Sequence, residues 1–304
     1  MRVIRDGERT GARVIALGTF DGVHRGHAAL LEKGREYAEA HGVLLQACTF
    51  DRHPLEVLFP ERAPKLLNTL PEKLRRMAAC GADEVRILRF EKRTAETAPE
   101  EFLRMLRETS LLRAVTAGWN YTFGRGGEGN AELLLEDGKK HGYEVLIVPP
   151  VKTEDGTVIS SSEVRGLLAQ GNITRANELL GSEYSLTGTV VNGKQMGSRI
   201  GFPTANVRVP ERKLLPAYGV YICAAETDRE LWPAVVNIGV QPTLPSGGVT
   251  VEAHILTDSP ELYGRKLRIT LKERLRGEKR FGSVGELQEQ IAADREAAIR
   301  FFGL

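Results

Sequence analysis

Two histidines, His24 and His27, lie three residues apart in the string Gly18-Thr19-Phe20-Asp21-Gly22-Val23-His24-Arg25-Gly26-His27. An apolar run, Val14–Phe20, leads into the string, and a stretch with helical spacing leaves it. In the first turn of a helix, residues three apart share a face, and the unpaired backbone N–H groups there attract anions. Two imidazoles on that face suit the stabilisation of charge at a phosphorus centre, where positioning and electrostatics supply most of the catalysis. Gly26 removes a side chain that would hold a polyphosphate off the backbone. A bare HxxH pair is more often two exposed histidines on a turn; ten residues of this type behind a strand are not.

A second cluster is Ile159-Ser160-Ser161-Ser162-Glu163-Val164-Arg165. Ser160 and Glu163 have the spacing of a capping box, and that alone would explain them. Three hydroxyls and free N–H groups with Arg165 a turn later would also grip phosphate. The third cluster lies far downstream: Gly188, Gly193 and Gly197, then Gly201-Phe202-Pro203-Thr204-Ala205-Asn206. Its glycines allow bulges and tight turns or let backbone N–H groups cradle phosphates. Thr204 and Asn206 offer oxygen ligands of the kind Mg²⁺ takes beside phosphates. Glu252 sits among apolar neighbours in a strand-like run, where a solvated face is the ordinary explanation.

The elements that must position these residues divide the chain in two. Strand-like runs at Val14–Phe20, Val43–Phe50, Glu84–Phe90, Ala114–Gly118 and Tyr143–Val148 alternate with helical stretches. One helix runs from near His24 to Gly42, a good C′ residue; others start at Pro71 and Pro99, where a missing N–H costs nothing. This pattern predicts a Rossmann-like, doubly wound α/β unit with a parallel sheet. Two short helices are expected over 160–181. After Gly181 strands dominate: Ser185–Val191, Gly219–Thr227, Ala234–Ile238, Thr250–Leu256 and Lys266–Leu271. A helix over Val284–Phe302 closes the chain, which suggests a small β-barrel capped by a C-terminal helix.

Composition narrows the function. The 304 residues are 41% hydrophobic and 27% charged, a globular mix sufficient for about two domains. A net charge of +2 gives no field for nucleic acid or membrane. Arg274, Arg276, Lys279 and Arg280 form a basic run without the aromatic interleaving that base stacking needs. Cys48, Cys80 and Cys223 are scattered and odd in number, as in a reducing compartment. The N-terminus lacks the apolar core of a signal peptide and no run reaches membrane-spanning length, so a cytoplasmic protein is expected. Gly124-Arg125-Gly126-Gly127-Glu128-Gly129 fits a dinucleotide fingerprint in letters, but five residues separate it from its strand and no acidic residue ends the next one.

The first two clusters resemble the nucleotidyltransferase superfamily with HxGH and (S/T)SSxxR-type motifs. Together with the third, the chain resembles the bacterial bifunctional riboflavin kinase/FMN adenylyltransferases, also called FAD synthetases. That resemblance implies an adenylyltransferase module over 1–180 and a riboflavin kinase module over 185–304. In the first, it assigns His24 and His27 to catalysis. It gives Gly18, Phe20, Asp21, Gly26, Ser160, Ser161, Ser162 and Arg165 to ATP, and the loops with Phe50, Asp51, Asn120, Phe123 and Gly124 to flavin and nucleotide. In the second, it makes Glu252 the catalytic base. Gly193, Gly197, Gly201, Phe202 and Pro203 fall to ATP, Thr204 and Asn206 to Mg²⁺, and Arg276 to a flavin-binding loop. ATP, riboflavin and FMN are the implied substrates, FAD the product, and neither nucleic acid nor membrane a partner; oligomeric state is left open. Near-zero net charge and the intact motif residues count against a flavin sensor or RNA-binding regulator that has merely kept the fold. The sequence departs from the family at Arg52, at Asn120 and at Gly197-Ser198-Arg199, where the family usually has Gly-Arg.

Overall fold

A computed structural model describes residues 1–5, 7–192, 201–240, 248–257 and 261–304. The chain forms two compact units, Met1–Ser161 and Ser162–Leu304.

Six strands make the first unit: β1 (Arg2–Ile4), β2 (Thr10–Leu17), β3 (Leu44–Phe50), β4 (Glu84–Leu88), β5 (Ser110–Gly118) and β6 (Glu144–Val148). They pair in parallel in the order β1-β4-β3-β2-β5-β6. The helices are α1 (Arg25–His41), α2 (Pro54–Leu58), α3 (Leu70–Ala79), α4 (Lys92–Ala95), α5 (Pro99–Thr109) and α6 (Ala131–His141). Alternate residues of β2 feed different cores. Val14 and Ala16 pack with Leu31 of α1 and Met77 of α3, while Ile15 and Leu17 pack with Leu103 of α5 and Leu134 of α6. A sheet covered on both faces explains why its strands read as continuous apolar runs. Gly42 ends α1 in the left-handed region, φ 63°, and prolines stand in the first turns of α3 and α5. The chain leaves β2 through β3 and β4, then returns to β5 on the other side of β2. Sheets of this kind bind ligands at the carboxyl ends of the strands where the order reverses, here those of β2 and β5. β1 has only three residues, one of them buried, too few to show a period.

The second unit opens with α7 (Ser161–Gln170) and α8 (Ile173–Leu180). A closed antiparallel barrel follows, from β7 (Ser185–Val191), β8 (Ala205–Arg208), β9 (Gly219–Glu226), β10 (Leu231–Val240), β11 (Val249–Ile255) and β12 (Lys266–Gly277). Its strand order is β10-β11-β8-β7-β12-β9. The two helices group with the barrel: the Asn177 amide donates to Leu271 O at 3.0 Å and accepts from Tyr184 N at 2.7 Å. Ala217 N donates to Leu168 O at 2.8 Å. α9 (Val284–Phe302) lies over the outside of the barrel, where Ala298 packs with Val220, Ile222 and Val235. Strand β8 is an addition to the sequence reading, hidden because Gly201 and Pro203 punctuate its start. β12 runs beyond Leu271 because register shifts after Leu271 and Arg274 let it continue past the regular apolar alternation.

Candidate active sites

The loop from β2 to α1 is bent by two side-chain-bearing residues with positive φ, Phe20 (51°) and Val23 (41°), both fully buried. Left-handed backbone at a non-glycine residue is costly and persists where packing enforces it. The loop delivers His24 as the N-cap of α1, its Nδ1 accepting from His27 N at 3.4 Å. In the neutral ring this leaves the proton on Nε2. The His24 and His27 rings stack with centroids 3.9 Å apart at 21°. His27 Nδ1 is buried and has no hydrogen-bond partner among the described residues. Burial first, then the neighbouring His24 and Lys73, hold the His27 pKa well below its ordinary value. A Cβ on Gly26 would stand 3.1 Å from the His24 imidazole. That glycine makes room for the ring, a closer constraint than the phosphate approach expected from sequence.

The structure brings Ser161 of the serine cluster to this loop. Ser161 Oγ donates to Asp21 O at 2.8 Å, and α7 starts there; Ser160 precedes it, while Ser162 and Arg165 follow in the second unit. The Asp21 carboxylate accepts from Leu67 N at 3.0 Å and Asn68 N at 3.4 Å, so it holds the segment before α3. Gly18 lies under the Phe20 ring, 3.1 Å from where its Cβ would be. Phe50 ends β3 and, with Asp51 just after it, lines a small cleft with Thr19, Asp21, His53 and Lys73. Asn120 is exposed just after β5. Phe123, by contrast, is core, 6% exposed and 5.5 Å from Phe102, and Gly124 is wedged against Pro99. The GxGxxG string lies in the long connection between β5 and α6, bridged through Phe123 and Gly129, and does not directly follow the strand.

The barrel holds a cavity of ≈ 290 Å³ on its outer face, walled on one side by α9. Val251, Ala253 and Ile255 of β11 point into the barrel core, so Thr250, Glu252 and His254 point out into the cavity. Glu252 is half-buried, with Asn237 of β10 and Asn206 of β8 opposite it on the two neighbouring strands. Phe202 and Thr204 line the same cavity. His254 Nδ1 donates to Pro203 O at 2.8 Å, which fixes the peptide before Thr204. Leu287 and Ile291 of α9 give the opposite wall an apolar surface. Arg276 also lines the cavity, from the end of β12, and its guanidinium grips Asp294 of α9 at 2.8 and 3.1 Å. Gly201 turns the chain with φ 89°; Gly193, Gly197, Ser198 and Arg199 lie outside the described residues. Sequence reasoning gave no role to Asn237, His254, Asp294 or Lys73. The alternation in β10 and β11 carried a signal for the first two, whereas the other two depend on which helix packs where.

A parallel α/β unit with paired imidazoles at its switch point, joined to a barrel with a carboxylate-bearing cavity, defines a two-site transferase of the HxGH type. Residues 7–163 match the family model for FAD synthetase, and residues 180–302 that for riboflavin kinase. The bifunctional riboflavin kinase/FMN adenylyltransferase of Escherichia coli K12 is 38% identical over 293 residues, covering 96% of this chain and 93% of that one. The Bacillus subtilis protein of the same description is 33% identical, with 97% and 94% covered. The chain belongs to the bifunctional riboflavin kinase/FMN adenylyltransferase family. A crystal structure described as a macrolide-efflux protein from Streptococcus pneumoniae has a TM-score of 0.88 and 29% identity, covering 98% of this chain and 99% of that one. Among the described residues, no helix is long and apolar enough to cross a membrane.

Proposed function

We infer that this chain makes FAD from riboflavin in two ATP-dependent steps: phosphorylation to FMN on the barrel, then adenylylation of FMN on the α/β unit. The observation that carries this reading is that each unit gathers its own set of reactive side chains. His24 and His27 stack in one, where Ser161 Oγ donates to Asp21 O of the same loop; Glu252, Thr204 and Phe202 surround one cavity in the other.

In the kinase step, Glu252 accepts the proton of the riboflavin 5′-hydroxyl as its oxygen bonds to the γ-phosphorus of ATP and the bond to ADP breaks. The oxygen-only donors Thr204 and Asn206, two apart in extended chain and so on one face, fit Mg²⁺, which shields phosphate charge when bound. Phe202 and Pro203, with Gly193, Gly197 and Gly201, are assigned to ATP. Arg276, held by Asp294, borders the flavin end of the cavity.

In the adenylyltransferase step, an FMN phosphate oxygen attacks the α-phosphorus of a second ATP and pyrophosphate leaves. FMN phosphate is already anionic, so no base is needed. His24 and His27 stabilise charge at the α-phosphate, and Ser160, Ser161, Ser162 and Arg165 hold the phosphates. Gly18, Phe20, Asp21 and Gly26 shape the turn; Phe50, Asp51, Asn120, Phe123 and Gly124 form or brace the flavin and nucleotide loops. We assign 1–180 to this activity and 185–304 to the kinase, both in the cytoplasm.

Two variants of the full chain test the assignment. Glu252→Gln should lose riboflavin phosphorylation by roughly 10²–10⁴-fold and still make FAD from supplied FMN. His27→Ala should accumulate FMN and lose FAD formation by about 10²–10³-fold. Loss of both activities in either variant, or of neither, contradicts the division of labour.

A further inference from the structure

The reactions above give no role to Lys73 of α3, a lysine only 8% exposed. Its Nζ donates to Thr19 O at 2.9 Å, Thr49 Oγ1 at 3.4 Å and Phe50 O at 3.4 Å. An ammonium has three donors and no acceptor, and these three protein acceptors match them in number. All three acceptors belong to two segments. Thr19 opens the loop that carries Asp21 and His24 and leads into His27 of α1; Thr49 and Phe50 end β3, next to Asp51. Thr49 Oγ1 itself donates to Thr19 O at 3.0 Å, so the lysine completes a small knot between these segments.

A buried cation is expensive, and a hydrocarbon side chain would usually fill such a place at lower cost. Here burial pulls the Lys73 pKa down, while Asp21, Asp51 and Glu56 pull it up. Two of these carboxylates belong to the segments that Lys73 joins. After burial and His24, Lys73 from α3 also helps to hold the His27 pKa down, so its charge is felt at that imidazole.

We propose that Lys73 is a positioning residue for adenylylation, a buried cationic clamp that fixes the β2–α1 loop, with His24 and His27, against the Phe50–Asp51 end of β3. The proposal rests on the adenylyltransferase reading of the first unit. Small displacements of aligned groups are enough to lower a rate by about 10²-fold.

The test uses full-length chain carrying Lys73→Gln or Lys73→Arg, supplied with FMN, ATP and Mg²⁺. Lys73→Gln should lower kcat for FAD formation by about 10²-fold, with little change in KM for FMN. Riboflavin phosphorylation by the same samples should be unchanged. Followed by NMR, the His27 ring should titrate at higher pH, because a neighbouring cation has been removed. Lys73→Arg should recover most of kcat and return the His27 titration towards wild type. If Lys73→Gln does not fold, Lys73→Met repeats the measurement with a side chain of similar length and no charge. Wild-type kcat in the uncharged variant would overturn the proposal. So would a loss of FAD formation that leaves His27 unmoved and that arginine does not recover, for that is what a merely structural lysine would give. A wild-type chain that makes no FAD from FMN would overturn the adenylyltransferase reading itself, and this proposal with it.

Discussion

The three-residue spacing of His24 and His27 foretells a shared face, and the two rings do meet. What the spacing does not contain is how the rings are held. His24 caps its own helix, two buried residues with positive φ aim it, and Gly26 clears its space. These depend on backbone angles and on neighbours that no residue letter states. His27 has a consequence for stability. Its pKa is held well below 6.5 in the folded chain, mainly by burial and further by His24 and Lys73, while in the unfolded chain it returns to about 6.5. Below that pH the unfolded state binds a proton that the folded state refuses. Stability contributed at higher pH is therefore lost as pH falls from about 6.5 towards the folded pKa. The urea midpoint of the first unit should drop between about pH 7 and about pH 5, and His27→Gln should flatten that slope. A slope identical in wild type and variant would show that His27 is not protected from protons by folding.

At the scale of elements, the barrel strands were legible where turn residues bracket an alternating run, as in β7 and β11. β8 was not, because the proline and glycine that mark its start read as a loop. The cavity was half legible. Alternation in β11 places Glu252 opposite the core-facing Val251 and Ala253, but nothing local says that α9 will roof that outer face. Gly188 shows how closely the strands are fitted. A Cβ there would lie 2.4 Å from Arg208 O and 2.8 Å from Arg208 C, both backbone atoms of β8. Neither can swing aside as a side chain would. Gly188→Ala should thus push β8 from β7 and cost the barrel about 1–3 kcal/mol. Thermal unfolding should report the loss, and riboflavin phosphorylation should fall with it because Thr204 and Asn206 belong to the displaced segment. FAD formation from FMN should persist. A barrel of unchanged stability would mean that the strands can part without cost.

For the whole molecule, the order of the motifs was readable, because two independent sets in one chain combine into consecutive chemical steps. The boundary between compact units was harder to read. Helices α7 and α8 carry no signal for the side on which they pack; Asn177 and its bonds to Leu271 and Tyr184 attach them to the barrel unit. The serine cluster that begins at Ser160 consequently spans the division at Ser161 and Ser162, so the stretch proposed to serve one activity is longer than the compact unit holding its histidines. The central claim is that both steps run on this one chain. Purified protein given riboflavin, ATP and Mg²⁺, with flavins separated over time, tests it most directly. FMN should rise without delay and FAD after a lag, with one ADP formed per riboflavin consumed and one pyrophosphate per FAD. FMN that accumulates without ever yielding FAD, or riboflavin that is not consumed while supplied FMN is adenylylated, would contradict a chain with two working sites.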